Sequence, residues 1–217
     1  YTQTELASSD RDINITANTV KLSGQTQAVG NVGLNADVEN ASEILTNGNL
    51  KTKKLTNTGK VEVLKKVEIT GELDNGGSLI SADGVTATKD VKNTGEISVN
   101  DDFTAKNVVS SGKVFGKNIQ ADDVDNSGKM LVKGKFTAKN VKNTGEIASG
   151  DKISAKKLEN SGTAATSSDI SVSDSLVNHN GGNIEGKNVE VKGFELRNAG
   201  KISAGNVKAK VNESTNS

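Results

Sequence analysis

The chain has 217 residues, of which 32% are hydrophobic and 2% aromatic, and its 27 Lys and Arg balance 27 Asp and Glu to a formal net charge of zero. Such material does not fill a thick globular core, and a balanced charge supplies no global field to draw the chain to nucleic acid or to an acidic membrane surface. There is no cysteine for a disulfide frame or a thiolate-bound metal, and no run of about 18 apolar residues that would span a bilayer as a helix.

Residues 1–12 are polar and fit no repeated unit, so an irregular N-terminal segment is expected there. The chain starts at Tyr1 without a signal-like segment and reads as a piece of a longer protein. From Ile15 a pattern apolar-x-Ala-x-x-apolar begins as Ile15, Ala17 and Val20. It returns as Phe103, Ala105 and Val108, as Ile119, Ala121 and Val124, as Phe136, Ala138 and Val141, and as Ile153, Ala155 and Leu158. In two longer units the leading pair is set one residue further back, as Val67 and Ile69 before Leu73 and as Val85 and Ala87 before Val91. The extra residue is expected in a corner between strands.

A second signal interleaves with the first. Val141-Lys142-Asn143-Thr144-Gly145-Glu146-Ile147 repeats Val91-Lys92-Asn93-Thr94-Gly95-Glu96-Ile97, and the looser pattern apolar-x-Asn-x-Gly-x-apolar recurs at steps of 16 to 20 residues. Its glycines are Gly24, Gly59, Gly77, Gly95, Gly112, Gly128, Gly145, Gly162, Gly182 and Gly200, with Ser42 in one unit. Its asparagines are Asn40, Asn57, Asn75, Asn93, Asn126, Asn143, Asn160, Asn180 and Asn198, with Leu22 and Ser110 as exceptions. Counting four residues back from each glycine gives an apolar column that only Asn178 breaks.

Each unit therefore holds three short period-2 pieces, such as Ile97-x-Val99, Phe103-x-Ala105 and Val108-x-Ser110, separated by turns. Period two means strand, and the pieces are too short for amphipathic helices. Proline is absent, which suits strands hydrogen-bonded on both sides. Near-constant unit length with like-on-like columns favours coils stacked in parallel over an antiparallel sandwich. The expected fold is all-β: a right-handed parallel β-helix of about eleven coils, roughly 17–18 residues and three strands per coil, over residues 13–211 with a polar tail at 212–217. At about 4.8 Å per coil, eleven repeats would make a rod of roughly 50 Å. The Asn-x-Gly corner is expected to use Asn in αL and Gly at positive φ, with the stacked Asn amides hydrogen-bonded as a ladder.

Chemistry-bearing residues are sparse. Asp101-Asp102 and Asp122-Asp123-x-Asp125 are more simply turn residues than a calcium loop, since no EF-hand glycine and terminal glutamate accompany them. His179 is the single histidine, in the longest unit, and reads as solvated in a surface loop. Arg11 and Arg197 stand at opposite ends, so the acid cluster with a basic partner expected of a polysaccharide-cleaving β-helix is missing. Gly76-Gly77 and Gly181-Gly182 are turn pairs, because no helix signal follows them. Exposed columns such as Glu43, Lys60, Ser78, Glu96 and Lys113, or Lys106, Asp122, Lys139 and Lys156, mix charge signs and read as solvated ladders. Thr residues are too scattered for an ice-binding array. Phe103, Phe136 and Phe194 are expected in the core, leaving Phe115 as the exposed aromatic. No catalytic residue, cofactor or metal ligand is expected.

The units Leu55-Thr56-Asn57-Thr58-Gly59-Lys60-Val61 and Leu158-Glu159-Asn160-Ser161-Gly162 resemble the repeats of filamentous-haemagglutinin-like exoproteins of Gram-negative two-partner secretion systems, over about residues 13–211. That family includes adhesins, contact-dependent inhibition proteins and secreted cytolysins or leukotoxins. The resemblance implies a monomeric, structural and adhesive shaft segment of a secreted or cell-surface exoprotein. Its partners would be a host-cell or target-cell receptor or glycan, and an outer-membrane transporter for the parent chain, with no nucleic acid. The alternatives are a fragment of a host-cell-binding cytotoxin, or a carbohydrate-binding or carbohydrate-active β-helix protein.

Overall fold

A computed structural model describes residues 1–217. The chain is all-β without a helix, its strands paired in parallel and stacked as a β-solenoid of about 12 turns. This is the expected parallel β-helix, and the right-handed form is the one that parallel strand connections adopt. The chain divides into two compact units, residues 1–106 with 112–115 and residues 107–111 with 116–217.

In the first unit three inner columns form. Val20, Val38, Leu55, Leu73 and Val91 stand in register on one face. Thr26, Ile44, Val61, Leu79, Ile97 and Val114 form the second. Ile13, Val32, Leu50, Val67, Val85 and Phe103 form the third. In the second unit the first column is Val108, Val124, Val141, Leu158, Leu176 and Leu196, and Phe136, Ile153, Ile170 and Val189 stack on a second face. Each coil contributes only one or two buried apolar residues per face, as Val61 with Val63 and Val67 with Ile69, which explains how so few apolar residues suffice. Phe103 and Phe136 are its largest members and have no exposed surface.

The longer units accommodate their extra residue as expected. Thr52 pairs with Ile69 and Leu55 with Leu73, so the surplus sits in the Thr70–Glu72 corner.

Three expectations about boundaries and exposure are corrected. Residues 1–12 are not irregular: Thr2–Gln3 pairs with Lys21–Leu22, and Ala7–Ser9 with Thr26–Ala28. Polar residues suffice there because backbone groups make the pairing, and Gln3 turns its amide inward to donate to Gln25 O at 2.7 Å. Residues 212–216 of the polar tail are likewise strand, the end of Lys201–Asn216 with Asn216 opposite Asn198. Phe194 is 49% exposed rather than buried. It follows Gly193, whose φ of +122° turns the chain at an irregular corner opposite Ser173 and Asp174, and Leu196 takes the core position.

Candidate functional site

The Asn column is the most elaborated polar feature of the molecule. In the first unit Asn40, Asn57 and Asn75 each donate Nδ2 to Oδ1 of the next asparagine, at 2.7, 2.8 and 2.8 Å, ending on Asn93. In the second unit Asn126, Asn143, Asn160, Asn178 and Asn198 do the same at 2.8 to 2.9 Å, ending on Asn216. All of these donor amides except Asn198 also reach two carbonyls, as Asn57 does to Gly59 O at 3.2 Å and Ser78 O at 3.1 Å. The ladder closes each corner from inside, and the buried amide N–H groups are thereby satisfied. The sequence exceptions leave a mark. Leu22 stands opposite Asn40 and Ser110 opposite Asn126, and the Oδ1 atoms of Asn40 and Asn126 are buried without a hydrogen-bond partner.

Two details of the corner differ from expectation. No asparagine has positive φ, and of the glycines only Gly181 and Gly193 do. The repeated glycines are needed for a different reason. A Cβ on Gly59 would lie 2.0 Å from Ser42 O, on Gly77 2.0 Å from Gly59 O, and on Gly145 or Gly162 2.1 Å from the carbonyl of the coil before. The carbonyl of one corner occupies the side-chain space of the next, so close stacking rather than dihedral freedom selects glycine.

The second correction concerns the longest unit. Asn178, not Asn180, is the ladder member: it pairs in register with Asn160 and Asn198, and Leu176 fills the apolar column between Leu158 and Leu196. Two additional residues fall after the ladder asparagine, so counting back from Gly182 lands two positions off. The residues 179–182 form a widened turn, closed by Gly182 N donating to His179 O at 2.9 Å. His179 is not without a carboxylate neighbour, because stacking brings Glu159 Oε1 within 2.9 Å of Nε2 on the exposed surface.

Shorter side-chain ladders line other corners. Asp12 Oδ1 accepts Asn31 N at 2.6 Å, Asn31 Oδ1 accepts Asn49 N at 2.9 Å, and Asn49 Oδ1 accepts Lys66 N at 3.2 Å. In the second unit Asn206 donates to Asn188 and Asn188 to Asp169. Their separations of 19 and 18 residues repeat the spacing of the main ladder and were the signal available in sequence.

The acidic pieces do not converge on a common point. Asp122 pairs with Lys139 at 2.9 Å, Asp123 accepts from Asn140 at 2.6 Å, and no group of three His, Cys, Asp or Glu gathers as a metal site. Charged pairs run across coils on the outside, including Lys129 with Glu146 at 2.9 Å and Lys54 with Glu72 at 2.8 Å. The hydrogen bond and charge of Glu72 raise the Lys54 ammonium above its ordinary value, and Lys54 holds the Glu72 carboxyl below its own. The pair therefore contributes nothing once acid passes through the lowered Glu72 value, or base through the raised Lys54 value. Both groups are exposed, and solvent screens the contribution. Phe115 faces outward opposite Ser98 and is half-buried.

Concave surface is shallow. A groove of about 340 Å³ in the first unit is lined by Asn14, Thr16, Asn35, Lys51, Lys53 and Thr70 around a floor that includes Leu34 and Thr52. In the second unit a groove of about 270 Å³ runs between Asn107 and Glu159 along Val109, Asp125 and Lys142. Neither joins a nucleophile to a base, and both present donors and acceptors at their edges. No family model, curated protein or solved structure matches the chain.

Proposed function

We propose that this chain is a structural and adhesive shaft segment of a large secreted or surface-exposed exoprotein, contacting a cell-surface receptor or glycan through its outer columns. The observation that carries the reading is the division between inner and outer positions of the same strands. Along one face of the second unit the inner column is Val108, Val124, Val141, Leu158 and Leu176. Its outward neighbours are Val109, Asp125, Lys142, Glu159 and Val177. Core and ladder positions repeat from coil to coil while the outer ones differ, so the surface is free to vary without cost to the fold. The shallow grooves set amides, hydroxyls and ammonium groups around a largely apolar lining, which suits surface contact with a glycan better than catalysis.

The test is saturable binding of the folded fragment to whole cells and to a glycan array, with denatured fragment and an unrelated β-helix as controls. Fold-dependent binding supports the adhesive part of the proposal, and killing of the same cells would move it to the cytotoxin class. Absence of binding removes the adhesive part and leaves the shaft.

A further inference from the structure

We propose that Asn180 is a site of intramolecular deamidation, at which water converts the side-chain amide to a carboxylate. The sequence contains three Asn-Gly pairs, Asn47-Gly48, Asn75-Gly76 and Asn180-Gly181. An Asn-Gly pair reacts when the glycine amide nitrogen, having lost its proton, attacks Cγ of the asparagine. The new N–Cγ bond forms as the Cγ–Nδ2 bond breaks, and Nδ2 leaves as ammonia. Water then opens the cyclic imide at either carbonyl, giving aspartate or its β-linked isomer. The balance is one water consumed and one ammonia released, with no redox partner. The reaction needs a side chain free to swing over its own backbone and a glycine N–H not held elsewhere.

The fold grants this freedom to one pair and withholds it from two. Gly48 N donates both to Gly30 O at 3.1 Å and to Thr46 Oγ1 at 3.0 Å. Gly76 N donates to Asn57 O at 2.8 Å, and the Asn75 side chain is fully buried in the ladder, bonded to Asn93 Oδ1 at 2.8 Å. Asn180 and Gly181 instead sit at the exposed tip of the widened turn. The turn is closed by Gly182 N, and Gly181 N makes no backbone hydrogen bond. Nothing lies within 4 Å of the space a Gly181 side chain would take, and its φ is +82°. The product places a new negative charge one residue from His179, whose ring already faces Glu159 at 2.9 Å. The turn thus carries a one-way change of surface charge that leaves the Asn178 ladder member untouched.

The experiment is incubation of the purified chain at mildly alkaline pH, folded and in urea, followed by tryptic digestion and mass spectrometry. The three pairs fall on separate peptides, residues 22–51, 67–89 and 158–187. In the folded protein peptide 158–187 should gain the amide-to-acid mass increase at least about tenfold faster than the other two, and in urea the three should converge. The Asn180→Gln variant should abolish the fast conversion. Equal rates in the folded protein, an unchanged peptide 158–187, or fast conversion surviving in Asn180→Gln would overturn the proposal.

Discussion

The corner at Asn143–Gly145 and the corner at Asn178–Gly182 share an inner side and differ on the outside. Both asparagines donate to the next coil, at 2.8 Å in each case, and both accept from the coil before. The first corner has one residue between Asn and Gly and presses its glycine against Gly128 O. The second has three, and the surplus lifts Gly181 clear of neighbours at positive φ. The difference separates two uses of glycine that look alike in sequence. One permits close stacking of coils, and the other permits a turn conformation that other residues resist.

The largest expected effect bears on the feature common to both corners, the apolar residue that follows. Ile147 is 1% exposed, and Ile147→Asp places an unpaired charge in the core, lowering stability by about 4 kcal/mol. Glu146→Asp, at the half-exposed partner of Lys129, should stay within about 0.5 kcal/mol of the parent. Chemical denaturation checks both, and equal melting of the two variants would contradict the column assignment.

Glycine substitution sharpens the contrast itself. Gly145→Ala sets a Cβ 2.1 Å from a backbone carbonyl, and relief requires two coils to separate, at a cost of about 3 kcal/mol. Gly181→Ala meets open space and only the strain of its φ, about 1 kcal/mol. Denaturation midpoints that ranked the two in the opposite order would show that dihedral freedom, not stacking, selects the repeated glycine.

A smaller effect of opposite sign is expected where the ladder lacks a member. Ser110→Asn supplies a donor to the buried, unpartnered Oδ1 of Asn126 and should raise stability by about 1 kcal/mol. A thermal melt at or below that of the parent would mean that the column has no room for the longer side chain.

Most of the fold was legible because the repeat forces like residues into register: the apolar columns and the corner position of the extra residue in the long units follow from spacing. Three separate strands per coil, by contrast, occur only in the middle coils, and elsewhere neighbouring pieces run on as one strand, as in Ile153–Asn160 and Asn183–Asn198. What spacing missed has physical causes. Residues 1–12 pair through backbone groups that composition does not report. The glycine requirement depends on a carbonyl one coil away, so a local reading chose φ instead. Spacing points to Asn180 because it stands two residues before Gly182, as the ladder asparagines of the regular units stand before their glycines, and only the register of Asn178 with Asn160 places the ladder member two residues earlier. The outer surface is the least legible part, since its columns are selected by whatever they touch and not by the core. His179 illustrates this, its carboxylate neighbour Glu159 lying 20 residues back in sequence.

The most direct test of this account compares Asn178→Ala with Asn180→Ala by equilibrium unfolding. Asn178 bonds to Gly182 O, Asn198 Oδ1 and Lys201 O and accepts from Asn160, so its removal strands buried donors and acceptors and should lower stability by about 2–3 kcal/mol. Asn180→Ala should be silent. Loss of stability in Asn180→Ala with a neutral Asn178→Ala would contradict the ladder register and, with it, the distinction between the two corners.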